Sequence, residues 1–185
     1  HTFNHTIGCT KVSAGCKNCY AEADMDNRRK RVKWGPNGTR SVTSYAYWRQ
    51  ALKWNKDAKE AGERRRVFCA SLADIFEDWQ GEIINSNNET LYWVDRDVLS
   101  LSGLHQQFID VDGIPSFARS TKRIDNTFRP LHLNDIREML FWLIESTPYL
   151  DWLLLTKRPE NIRDMIPSRW RRSLPDNGWI GTSVE

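Results

Sequence analysis

The feature that most narrows what this chain can be is a group of three cysteines near its start. Cys9, Cys16 and Cys19 are spaced C-x6-C-x2-C on the loop Gly8-Cys9-Thr10-Lys11-Val12-Ser13-Ala14-Gly15-Cys16-Lys17-Asn18-Cys19-Tyr20, and a helix-forming run follows directly. Thiols so close in sequence reach one point with little loop-closure entropy to overcome, which favours a metal centre. Ligand count separates the candidates. A closed zinc site takes four ligands, usually as two separated pairs; no second C-x-x-C exists, so zinc would have to recruit Cys69 or His5 from a distance. A [4Fe-4S] cluster held by three cysteines leaves one iron free for a substrate or cofactor. Reduced bystander thiols are the third reading. A disulfide framework is disfavoured, because three clustered cysteines cannot pair off and nothing else marks a secreted chain.

A chain of 185 residues predicts one domain with a real core, here a single α/β domain over 1–185 that is incomplete at both ends. The net charge of +3 is modest, but the basic residues are clumped at Arg28-Arg29-Lys30-Arg31 with Lys33, at Arg64-Arg65-Arg66, and at Arg169, Arg171 and Arg172. Such clusters either contact a nucleic-acid backbone or form solvated helix faces. No stretch approaches the roughly 18 apolar residues of a membrane span, and the N-terminus lacks a signal-peptide pattern. The expectation is a soluble, cytoplasmic chain with no membrane partner.

Strand signals over 2–7, 66–71, 151–156 and 179–184 alternate with helix signals. One helix is predicted over about 19–33, stopped by Gly35-Pro36-Asn37-Gly38, and another over about 44–61, ending at Gly62. A third takes Asn134 as N-cap and sets Ile136, Met139, Leu140, Leu143 and Thr147 on one face. A short one follows Pro159. From 80 to 129 the pattern dissolves into polar clusters, with a helix signal at 97–109, and reads as an insertion. Apolar strands alternating with helices predict parallel pairing, in an α/β barrel or an open doubly wound sheet. Both folds gather chemistry at the carboxyl ends of the strands. That rule brings to one mouth the cysteine loop, Ser71 with Asp74, Thr156 to Arg158, and Ser183 with Glu185. Ser71 and Asp74 suit a cofactor amine or ribose, or equally a helix cap. Lys157 and Arg158 suit a carboxylate or phosphate, or a solvated surface; Ser183 and Glu185 suit a ribose hydroxyl. Cys69, mid-strand among apolar neighbours, is expected to be buried and inert.

Four segments in the same order, 8–13 with 15–22, 67–78, 155–160 and 179–185, together resemble the phage gene product 37 / gene product 68 family, encoded by phages and bacteria. That family is similar to the radical S-adenosylmethionine enzymes as an outlying relative. The resemblance implies a partial (β/α) barrel of radical S-adenosylmethionine type, truncated here, with an irregular or helical insertion at about 80–129. It implies that Cys9, Cys16 and Cys19 bind a [4Fe-4S] cluster whose open iron takes S-adenosylmethionine, and that a reductant protein drives cleavage to a 5′-deoxyadenosyl radical. Ser71, Asp74, Lys157, Arg158, Ser183 and Glu185 would then hold the cofactor. The radical enzymes typically show C-x3-C-x2-C with an aromatic before the last cysteine; this chain has six residues in the first gap and Asn18 in the aromatic's place. The expected function is that of an iron–sulfur protein of this radical type, its substrate unread and nucleic-acid-related through the arginine clusters. The alternative is a zinc-stabilised nucleic-acid-binding module without catalysis.

Overall fold

The computed structural model describes residues 1–94 and 128–183. In chain order the elements are β1 (Thr2–Phe3), β2 (Thr6–Ile7), α1 (Tyr20–Glu22), β3 (Arg40–Val42), α2 (Tyr45–Glu60), β4 (Arg65–Cys69), β5 (Ile83–Ile84), β6 (Tyr92–Val94), β7 (Phe128–Pro130), α3 (Leu133–Glu145), β8 (Leu150–Thr156), α4 (Ile162–Met165) and β9 (Gly178–Thr182). It is a mixed α/β fold. Its main sheet has the order β1-β4-β8-β9 with every neighbouring pair parallel, so the strands lie side by side in the order in which the chain makes them. A second sheet, β2-β3-β5, and a β6-β7 pair stand beside it.

The two faces of the main sheet differ. Along β8, Leu150, Trp152, Leu154 and Thr156 are buried while the residues between them are not, the period-two alternation of a strand with one covered face. The covered face meets Trp48 and Ala51 of α2 and Ile136, Leu140 and Leu143 of α3 in one core with Val67 and Cys69 of β4. Phe3 lies at its centre, edge-on to Trp48 and Trp152 at 5.2 and 5.3 Å between ring centroids, a favoured aromatic geometry. On the opposite face Phe68, Leu153 and Trp179 share one lateral row, and Trp179 is 61% and Leu155 41% exposed.

The helix of 44–61 forms as the sequence predicts: Ser44 accepts a hydrogen bond from the Tyr47 N–H as N-cap, and Gly62 follows at φ +65°. Three expectations are corrected. The first helix is α-helical only over Tyr20–Glu22, widens into a π-helix over Ala23–Arg28, and stops where Lys30 takes φ +52°. The Trp34 N–H then turns back to Asp26 Oδ2, so 30–33 cannot continue the helix. His132, not Asn134, caps α3, in a box with Asp135; Asn134 sits inside the first turn, where its Oδ1 accepts from Arg137. The insertion begins later than 80, because Ile83 is fully buried and β5 pairs with β3. The helix signal at 97–109 lies outside the described residues. Among the described residues no helix is long and apolar enough to cross a membrane.

The two tryptophans of the sheet's opposite faces should respond differently to truncation. Trp152→Ala, which empties a fully buried site and removes the Nε1–H bond to Thr147 Oγ1, is expected to cost about 3–5 kcal/mol. Trp179→Ala should stay within about 0.5 kcal/mol. Urea denaturation of the two variants checks the contrast.

Candidate functional site

The cysteine loop leaves β2 through Gly8, whose φ is +113° and whose N–H donates to the Leu72 carbonyl. A Cβ there would stand 2.5 Å from the Thr39 carbonyl oxygen, so the loop's entry requires glycine. Gly35 N–H donates to the Cys9 carbonyl, and Tyr20 donates its hydroxyl to the Ser71 carbonyl. The loop is thereby pinned at its start, at its first cysteine and at its exit.

Beneath it lie four buried charges. Arg40 grips Glu77 with two bonds, Nε to Oε2 at 2.7 Å and Nη2 to Oε1 at 2.8 Å, the side chains 0% and 2% exposed. Arg158 Nη1 lies 2.9 Å from Asp74 Oδ2, and its Nη2 lies 3.4 Å from Glu77 Oε1. All three polar groups of Thr10 are bound by this set: its N–H donates to Glu77 Oε1, its Oγ1 accepts from Arg40 Nη2, and its carbonyl accepts from Arg158 Nη2 at 2.6 Å. Each of these ions is paired and hydrogen-bonded, the condition on which buried charge is tolerated, and a further buried guanidinium, Arg137, donates beside them to the Ile75 and Glu77 carbonyls. Arg40 also stands 4.7 Å over the Trp79 ring.

The residues proposed from sequence separate into two groups. Asp74 and Arg158 belong to the buried set. Asp74 Oδ1 accepts from Phe76 N–H and Thr156 Oγ1, and Oδ2 from Lys157 N–H as well as Arg158, which fills both oxygens. Ser71, Lys157 and Ser183 lie nearer the surface: Ser71 Oγ donates to Asn4 Oδ1, and Lys157 Nζ to Ser183 Oγ at 3.2 Å. Glu185 lies outside the described residues. Arg40 was missed because nothing in its short strand distinguishes it from a surface arginine. Glu77, three residues after Asp74 and behind an apolar strand, offered a readable signal.

The thiols differ in chemistry. Burial first, and then the Glu77 charge, push the Cys9 thiol up to about 12, against the opposing pull of Arg158, whose Nη1 lies 3.6 Å from Cys9 Sγ. Burial also raises Cys16, but hydrogen bonds from the Val12 and Ser13 backbone and the Ser13 hydroxyl, with the nearby Lys157 charge, outweigh it and hold the thiol below its ordinary value. Cys69 is fully buried on the helix side of β4, and burial alone raises its thiol. Among the described residues no three His, Cys, Asp or Glu side chains, those of Cys9, Cys16 and Cys19 included, converge as ligands to one ion. A [4Fe-4S] cluster makes a different demand, since its cysteine sulfurs each take a different iron. Three thiols on one pinned loop, with guanidinium and ammonium groups beside them, have the chemistry of that donor set.

His5, between β1 and β2, is fully buried and both ring nitrogens lack a hydrogen-bond partner among the described residues. Burial, reinforced by the Arg137 charge and opposed by Asp74, lowers its pKa to about 3. The imidazole is therefore neutral in the folded chain. Of the arginine clusters, Arg28 and Arg29 pair with Asp24, Arg64 with Asp151, Arg65 with Glu63 and Arg169 with Glu145.

Fold and site together define an α/β protein with a three-cysteine loop, which leaves β2, held at Thr10 by buried charged residues that follow the parallel strands β4 and β8. The chain belongs to the family described as Protein of unknown function (DUF5131), which it matches over residues 1–89 and 124–185. No curated protein and no solved structure matches it.

Labelling and acid stability test this picture. In metal-free protein near neutral pH, iodoacetamide followed by mass spectrometry should find Cys16 modified at least about tenfold faster than Cys9, since each unit of pKa is a factor of ten in thiolate, and Cys69 unmodified until the chain unfolds. Because His5 binds its proton at about 3 in the folded chain and near 6.5 when unfolded, the unfolded state holds more protons between those values. Its contribution to stability is complete above pH 6.5 and falls by about 1.4 kcal/mol per pH unit as pH drops towards 3. Chemical denaturation across that range should show a correspondingly shallower slope for His5→Gln than for the unchanged chain.

Proposed function

We propose that this chain is an iron–sulfur protein of radical S-adenosylmethionine type, as its resemblance to the phage gene product 37 / gene product 68 family implies, and that its sheet is part of a (β/α) barrel. The observation that supports this best is the placement of the three-thiol loop: it follows β2 and is fastened through Thr10 to Arg158, just past the carboxyl end of β8 in a parallel sheet wound in one direction. A doubly wound sheet would reverse direction at a switch point; here each crossover moves on to the next neighbour, and right-handed crossovers then put the helices on one face. The apolar row Phe68, Leu153 and Trp179 would face the barrel interior.

Cys9, Cys16 and Cys19 would hold a [4Fe-4S] cluster, which when bound supplies one-electron reduction of the sulfonium of S-adenosylmethionine. The chain's own part is binding and orientation. Lys157 Nζ and Ser183 Oγ present a cation and a hydroxyl at the ends of adjacent strands, suited to the carboxylate and ribose of such a cofactor, with Ser71 just beyond the end of β4. Asp74, saturated by four donors, and Arg158 act by holding this mouth in shape. A nucleic-acid partner would rest on cations outside the ion pairs above, such as Lys30, Lys33, Arg171 and Arg172. A cytoplasmic setting, with its reducing thiol pool, suits free cysteines.

Protein purified without oxygen should be brown, with close to four irons per chain; Cys16→Ala should lose them and Cys69→Ala should keep them. Reduced by dithionite and given S-adenosylmethionine, it should release 5′-deoxyadenosine. Colourless protein carrying one zinc sinks the reading, and a loaded cluster that releases no nucleoside removes its radical part.

A further inference from the structure

The structure leads us to infer that Arg158 is a positioning residue for the Cys9 sulfur, and that its N–H, together with its charge, raises the reduction potential of the cluster held there. The inference rests on the cluster reading above and names a tuning residue within it. Three observations carry it.

First, the Arg158 fork spans both ends of one ligand residue's neighbourhood: Nη1 reaches Cys9 Sγ at 3.6 Å, and Nη2 reaches the carbonyl of Thr10, the next residue, at 2.6 Å. The guanidinium is itself fixed from behind by Asp74 at 2.9 Å and by Glu77. Its backbone N–H donates to Thr156 Oγ1. Arg158 is 4% exposed, so it cannot swing to solvent and leave the sulfur.

Second, Cys9 Sγ has a second hydrogen bond, donated to the Thr10 carbonyl at 3.4 Å. That bond needs the thiol proton, which a metal ligand must give up. The bond from Arg158 survives deprotonation and strengthens, because the acceptor becomes charged.

Third, of the buried guanidinium groups around Asp74 and Glu77, Arg158 is the one that meets the sulfur: Arg137, 3% exposed, donates instead to the Ile75 and Glu77 carbonyls. One-electron reduction of what Cys9 would ligate adds negative charge beside Arg158. A guanidinium N–H directed at the sulfur stabilises the more negative state and moves the potential up. The Cys16 sulfur is instead hydrogen-bonded with the Ser13 hydroxyl, with the Lys157 charge nearby. Arg40, in the same network, bonds Glu77, Thr10 and two backbone carbonyls but not the sulfur.

The test is the midpoint potential of the reconstituted cluster in four proteins: the unchanged chain, Arg158→Lys, the double variant Arg158→Gln with Asp74→Asn, and Arg40→Lys. The double variant removes one charge of each sign from the buried set and so guards against unfolding; a thermal melt and iron per chain are measured for each. The potential should move negative in Arg158→Lys and further in the double variant, with iron content near that of the unchanged chain, while Arg40→Lys, which loosens the same network without touching the sulfur, should leave it in place. Equal potentials in all four proteins overturn the inference and leave the cluster reading standing. So does a shift in Arg40→Lys as large as in the double variant, since slackening of the loop would then account for both. Absence of a four-iron cluster in the unchanged chain overturns the cluster reading and this inference with it, and is recognised before any substitution is compared.

Discussion

The contact between the Thr10 segment and the Arg40, Glu77, Arg158 and Asp74 set is what the rest of the structure depends on. These side chains come from β3, from the turn after β4 and from the end of β8, and the loop they hold comes from the end of β2. Pairing between short strands would orient such segments weakly. Four charges with no water to receive them do so strongly, because removing one partner of a buried pair costs about 3–5 kcal/mol through the ion left behind. The set need not be a large net source of stability, since assembling it forfeits the hydration of all four groups. Its effect is to make other placements of the loop expensive.

That rigidity explains the contrast between the cysteines. Cys9 is next to the residue that the charges hold, and is drawn into the same buried environment. Cys16 lies seven residues further along the loop, in a short turn made by Ser13 and Cys16 themselves, where the Cys16 N–H donates to the Ser13 carbonyl. One loop therefore offers thiols in unlike settings, Cys9 against the buried charges and Cys16 in the turn beside Ser13.

Much of the fold was legible in the sequence. The buried strands at Val67 and Leu154 announce themselves as apolar runs, and the cap at Ser44 with Gly62 at the other end bounds α2. What failed to show was whatever depends on distant partners. The first helix looked long because its residues favour helix locally, yet Asp26 is claimed by Trp34 and Lys30 takes a left-handed turn. Asn134 is a good cap in isolation, but the register of α3 is set by His132 with Asp135. At the site, the cysteines and Asp74 stood out by residue type and place. The role of Arg158 did not, because a cation after a strand reads as surface until the carboxylates that bury it are known, and Arg40 gave no sign at all.

The bond between Arg158 and the Thr10 carbonyl joins residues 148 positions apart. During synthesis the cysteine loop emerges well before the cation that fastens it. Until then Cys9, Cys16 and Cys19 sit on an unfastened loop, open to oxidants and to adventitious metal, and contacts that close so late are slow to form. The order of synthesis thus sets an interval in which the thiols are exposed, and a cell making this chain would be under pressure to shield them until Arg158 arrives.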